Sequence, residues 1–158
     1  MLRYVCGFYF NEDATKVALI RKNRPDWQAG KLNGIGGKIE RKDFDHYKTY
    51  ELTQWHCMVR EFEEETGVFT HIDDWTWFNT VGEPDWIVYF MYATGDLSKL
   101  KTMTDEVIEI HNVDDVFSLP VIDNLKELIP EAAGQIDVYG KYSEDYKQEL
   151  KEREVPVC

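Results

Sequence analysis

The chain has 158 residues, the length of one ordinary domain with room for a sizeable core. Of these, 43% are hydrophobic and 14% aromatic, which excludes a disordered chain. Eighteen lysines and arginines face 30 aspartates and glutamates, a net charge of −12. That balance argues against binding a nucleic-acid polymer or an anionic membrane through a broad basic surface.

Leu2 to Phe10 reads as a strand, rich in aromatic and β-branched residues, and Asn11 to Thr15 as a turn. Lys16 to Lys22 reads as a second strand, so the two form a candidate hairpin. Asn23 to Leu32 is a polar loop. It leads into the glycine-rich run Asn33-Gly34-Ile35-Gly36-Gly37-Lys38-Ile39-Glu40. Arg41 to His46 is charged and loop-like. The spacing then predicts a helix from about Tyr47 to Thr66, ended by Gly67 as C-cap. Trp75–Val81 and Trp86–Ala93 read as strands around the turn signal Gly82-Glu83-Pro84-Asp85. A strand is expected over Glu106–Asn112, and a helix within Pro120–Ala133 starting near Asp123. A short edge strand is expected at Ile136–Tyr139 and a charged terminal helix over 143–154. That last helix reads as a solvated cover, with dimerisation as the alternative. Strands in hairpin and non-hairpin connections, with helices between them, predict a mixed sheet with helices on its faces in a single domain over 1–158.

On the long helix, Trp55, Val59, Phe62 and Thr66 form one stripe. Glu61, Glu64 and Glu65 form another, with Glu63 left to solvent. Like charges crowded at i, i+3 and i+4 call for a cation, and hard oxygen donors suit Mg²⁺ or Mn²⁺. The backbone at Gly36-Gly37 can come close to a metal or phosphate, and Lys38 adds a positive donor. A metal beside phosphates can bridge their oxygens and activate water. Three widely spaced cysteines, Cys6, Cys57 and Cys158, without a CxxC pair predict reduced thiols in a cytoplasmic protein. The four histidines show no ligand spacing.

Gly37, followed downstream by Arg60-Glu61-Phe62-Glu63-Glu64-Glu65-Thr66-Gly67-Val68, resembles the box of the Nudix hydrolase family. In that pattern a Gly, five residues, a Glu and seven residues precede Arg-Glu-aliphatic-any-Glu-Glu-any-Gly-aliphatic. Asp43 stands where the family has its first Glu, with Glu51 as an alternative match, and the segment 41–59 is stretched beyond the family's spacing. The resemblance implies an α+β Nudix fold, an α/β/α sandwich around a mixed sheet. It also implies Mg²⁺- or Mn²⁺-dependent cleavage of a nucleoside diphosphate derivative. Metal ligands would fall on the Gly37 carbonyl, Glu61, Glu64 and Glu65, with Arg60 orienting its neighbours. A further catalytic carboxylate is expected after the box, at Glu106, with Glu83 and Asp85 as rivals.

Trp27 to Lys38 is similar to the MutT-like nucleoside triphosphate pyrophosphatases, including members that act on oxidised purines. That likeness implies a base contact at Asn33; Trp27 or Trp86 is then a candidate to stack on the base and Asp123 or Asn124 to read its edge, with Arg21 and Lys38 as candidate phosphate contacts. An ADP-ribose or dinucleoside polyphosphate hydrolase is the alternative, as is a Nudix module that binds a nucleotide without cleaving it. The expected partner is a nucleotide, to a protein that is a monomer or a homodimer.

Overall fold

The computed structural model describes residues 1–45 and 52–136. In chain order its strands are β1 (Leu2–Phe10), β2 (Lys16–Arg21), β3 (Leu32–Asn33), β4 (Ile35–Lys38), β5 (Thr76–Glu83), β6 (Trp86–Thr94) and β7 (Ile108–Asn112). Its helices are α1 (Arg41–Asp45), α2 (Thr53–Thr66) and α3, helical over 125–136.

β1 is the centre of the sheet. Residues 5–10 are buried one after another, as expected of a strand covered on both faces. The period of two then sorts them: Cys6, Phe8 and Phe10 face one layer, Val5 and Tyr9 the other. Along one edge β1 runs parallel to β6 for all nine residues, and β6 turns back antiparallel onto β5. The other edge is divided. β4 pairs with Tyr4–Gly7, and β2 pairs only at Tyr9 and Phe10. β2 also carries β3 and β7, completing a mixed seven-stranded sheet.

α2 covers one face, burying Cys57, Met58 and Phe62 with Val5, Tyr9, Ile20, Ile35 and Met91. The Phe62 ring lies 4.6 Å from Tyr9 and 5.2 Å from Trp75. α3 covers the other face through Leu125, Leu128, Ile129 and Ala132 against Phe8, Leu19, Phe90 and Tyr92. Each fully buried side chain of this kind contributes roughly 1.5–3 kcal/mol. The result is the expected α/β/α sandwich. No helix among the described residues is long and apolar enough to cross a membrane.

The glycine-rich run, to which the sequence reading gave no element, holds β4 and the second residue of β3, Asn33. Two details differ from the sequence reading. Arg41–Asp45 is a short helix rather than a loop, closed by the Asp43 side chain accepting the Glu40 N–H at 2.8 Å. Ile136 is helical rather than the start of an edge strand. The first part of the predicted long helix (47–51), residues 137–139 and the terminal helix over 143–154 lie outside the described residues.

Candidate active site

α2 places its two stripes on opposite duties. Phe62 and Thr66 are buried, while Glu63 and Glu64 are exposed and Glu61 and Glu65 are partly covered. Gly67 ends the helix in the left-handed region (φ 76°), its N–H donating to the Glu63 carbonyl at 2.8 Å. That cap closes the last turn, which carries Glu63, Glu64 and Glu65.

β4 runs directly beside this helix. A Cβ built on Gly37 would lie 2.5 Å from the Glu61 carboxylate, so only glycine lets that carboxylate rest against the strand. Burial pushes the Glu61 carboxyl up to about 7, the largest influence there, partly offset by the charge of Arg60. Burial also raises Glu65, against a hydrogen bond of 3.1 Å from the Thr104 hydroxyl.

Arg60 organises the cluster. Its Nε and Nη2 donate to the two oxygens of Asp43 at 2.8 and 3.0 Å, a fork-to-fork pair. Nη1 donates to Glu61 at 2.9 Å and approaches Glu64 at 3.3 Å, and Nη2 reaches the Lys38 carbonyl at 3.2 Å. Asp43 is 4% exposed. Burial alone would raise its carboxyl, but the Arg60 fork and the Glu40 N–H hold it below the usual carboxylate range. Asp43 thus takes a structural part in the box despite its shorter side chain. Lys42 Nζ lies 3.1 Å from Glu40 and 3.9 Å from Glu64.

Among the described residues, no group of three His, Cys, Asp or Glu side chains is arranged to hold a metal ion. The Arg60 guanidinium is the cation between Glu61 and Glu64. The donor set still fits a hard divalent ion, being carboxylate and backbone oxygens around a strand cleared by Gly37. Gly37→Ala is expected to push Glu61 off the strand and to weaken Mn²⁺ binding by about 10- to 100-fold in calorimetric titration, as for loss of a supporting contact to a ligand. Unchanged Mn²⁺ affinity would refute that role for Gly37.

Glu106 is placed differently from a free catalytic carboxylate. It is 4% exposed, with Lys22 Nζ at 2.9 Å on one oxygen and the Asn23 N–H at 2.6 Å on the other. Burial raises its carboxyl, and these two donors more than reverse that. Asn23 also donates to the Asp105 carbonyl at 2.8 Å, and Arg24 pairs with the Asp105 carboxylate. The segments 22–24 and 104–106 are therefore clipped together. Thr104 carries the clip onward to Glu65, and the Glu106 N–H donates to the Thr104 hydroxyl at 3.2 Å. The rivals Glu83 and Asp85 are exposed at the β5–β6 turn.

Beside the cluster lies a cavity of about 500 Å³. Trp27, Asn33, Lys38, Trp86 and Asn124 line it, as do Gly36 and Gly37 from β4. Arg21 and Asp123 are not among its lining residues. Arg21 is held by Glu109, with Nη2 at 2.9 Å, and by the Gly30 carbonyl at 2.9 Å, which removes it from the expected phosphate contact. Residues not singled out from sequence touch expected site residues, among them Gln28 at Asn33, Lys22 and Asn23 at Glu106, and Thr104 at Glu65. A polar side chain in a loop gives no periodic signal by which to find it.

The NUDIX domain family model matches residues 1–133. Solved structures with this fold include MutT from Aliivibrio salmonicida and Vibrio cholerae. That likeness has 21% identity, 85% of this chain and 98% of that one covered, and a TM-score of 0.66. A NUDIX-family hydrolase from Clostridium perfringens is 19% identical over 85% and 97% of the two chains, with a TM-score of 0.60. The NUDIX domain of Shewanella oneidensis NrtR, complexed with ADP-ribose, is 18% identical over 86% and 88%, with a TM-score of 0.67. No curated protein shows a significant match. With the family match running from β1 into α3 and taking in the whole Gly37–Gly67 segment, the chain belongs to the NUDIX domain family.

Proposed function

We propose that the chain is a Mg²⁺- or Mn²⁺-dependent hydrolase that cuts a nucleoside triphosphate to the monophosphate and pyrophosphate. Family membership and the likeness to MutT and to a Nudix hydrolase support an enzyme acting on pyrophosphate bonds. The observation that carries the finer reading is the juxtaposition of the Glu61–Glu65 cluster with a cavity walled by two tryptophans and two asparagines. That cavity offers stacking faces and hydrogen-bonding edges of the kind a base needs.

Nudix hydrolases generally use divalent metals. Here Gly37, Glu61, Glu64 and Glu65 would hold the ion, which when bound neutralises phosphate charge and acidifies water. Lys38 meets phosphate oxygens at the cavity mouth. Water attacks phosphorus, the new P–O bond forms as the anhydride P–O bond breaks, and pyrophosphate leaves. The proton of that water goes to a carboxylate. Glu106 has both oxygens occupied by donors, so this role is assigned to Glu65, whose carboxylate the Thr104 hydroxyl orients. Glu106 instead fixes the loop that positions Thr104.

A product-resolved screen tests the reading: nucleoside triphosphates, oxidised triphosphates, ADP-ribose and dinucleoside polyphosphates, each with Mg²⁺ or Mn²⁺. Release of pyrophosphate from a triphosphate is expected. The NrtR neighbour, a NUDIX domain with ADP-ribose bound, supports a second reading, in which ADP-ribose is the ligand. Cleavage of ADP-ribose alone would establish that one, and binding without turnover would establish a nucleotide sensor.

A further inference from the structure

The cavity wall contains a relay of hydrogen bonds whose direction is fixed by the backbone at one end. The Gly34 N–H donates to Asn33 Oδ1 at 2.8 Å. The Cys6 thiol donates to the same oxygen at 3.5 Å, and its burial, which pushes its pKa up to about 12, keeps it protonated. With that oxygen taken by donors, the other end of the Asn33 amide is its NH₂. This group donates to Gln28 Oε1 at 3.0 Å. Gln28 therefore turns its carbonyl toward Asn33 and keeps its own NH₂ group. That group has no hydrogen-bond partner among the described residues. A backbone N–H cannot be reversed, so each amide in the relay has only one orientation that pairs donor with acceptor.

Gln28 is also well anchored. Its backbone N–H donates to the Pro25 carbonyl at 2.8 Å, and its carbonyl accepts from Lys31 at 2.9 Å. It lines the cavity next to Trp27 and Asn33. Resting on the reading of this cavity as a base site, we propose that Gln28 is the specificity-determining residue. Its NH₂ donates to the base edge and selects oxo-bearing bases over their amino counterparts, and Asn33 is the positioning residue that sets its orientation. An oxo oxygen accepts this donor. An exocyclic amino group meets it donor to donor and leaves both groups unpaired. Asn124 carries both a donor and an acceptor, so it makes no such distinction alone, and the Lys22 ammonium is engaged by Glu106.

The test is calorimetric binding of inosine triphosphate and adenosine triphosphate with Mg²⁺, with turnover followed alongside. These nucleotides carry an oxo and an amino group at the same ring position. Wild type is expected to bind the inosine nucleotide about tenfold more tightly, the value of one well-made hydrogen bond. Gln28→Glu keeps an acceptor for Asn33 and replaces the NH₂ with a second oxygen, so the preference is expected to invert. Asn33→Asp cannot donate, so Gln28 turns its NH₂ to the new carboxylate and its oxygen to the cavity, and the preference again inverts. A purely structural Asn33 would lower both affinities together. No preference for the oxo base in wild type overturns the proposal, as does an unchanged ratio in either variant. An inverted ratio without turnover of either nucleotide leaves Gln28 standing and removes the hydrolase reading. Absence of binding to both removes both.

Discussion

Glu65→Gln is expected to lower kcat by about 10²- to 10⁴-fold, the usual worth of a positioned proton acceptor, with little change in stability. The glutamine is isosteric, and its Oε1 still accepts the Thr104 hydroxyl, so the loop contact that orients position 65 survives. What disappears is the ability to take a proton and one negative charge toward a metal. Glu63→Gln is the internal control: it lies on the same helix turn, is exposed and faces away from the cluster. Steady-state hydrolysis with Mg²⁺ and a thermal melt separate the two effects. Undiminished turnover in Glu65→Gln would remove Glu65 from the chemistry.

Arg60→Ala should destabilise the fold by about 3–5 kcal/mol in urea denaturation, because it strands the buried carboxylate of Asp43 without its partner. Arg60→Lys restores charge but not the planar fork, so it should recover only part of the loss. A cost under about 1 kcal/mol for Arg60→Ala, the range of an exposed ion pair, would contradict the clamp. The same pair sets an acid limit. The folded-state carboxyl of Asp43 is held below its ordinary value, so its contribution is complete above the unfolded pKa, about 4. It is then lost as pH falls through the folded value. Asp43→Asn should flatten that part of the stability profile.

The elements with strong periodicity were legible from sequence. β1, β2, β5, β6, β7 and the core of α2 lie where alternation, turn residues and helical spacing put them. β3 and β4 were not, because β3 is two residues long and Gly36 and Gly37 in β4 carry no side chain to show an alternating face. The buried stripe of α2 was read as Trp55, Val59, Phe62 and Thr66. Of these, Phe62 and Thr66 are buried and Trp55 and Val59 only partly so, while Cys57 and Met58 are buried beside them, since the contact with β1 and β4 is wider than one row. At the site, the grouping of Glu61, Glu64 and Glu65 followed from spacing along one helix, and its relation to Gly37 from the resemblance to the Nudix box. Partners contributed by distant loops did not. Arg21 looked like a free cation until Glu109, 88 residues away, was brought beside it by the β2–β7 pairing. Glu106 looked like an open carboxylate until Lys22 and Asn23 met it through the same pairing.

The clip between residues 22–24 and 104–106 has an evolutionary consequence. One segment leads into Trp27 and Gln28 on the cavity wall, and the other leads through Thr104 to Glu65. Changes that alter which ligand enters and changes that alter how fast it is cut are thus inherited through one linked piece of structure. Their effects should be epistatic, since groups sharing a network do not contribute additively. A loop grafted alone from a relative would arrive without its counterpart. The two loops form the unit that must be exchanged together to carry a new preference onto this scaffold.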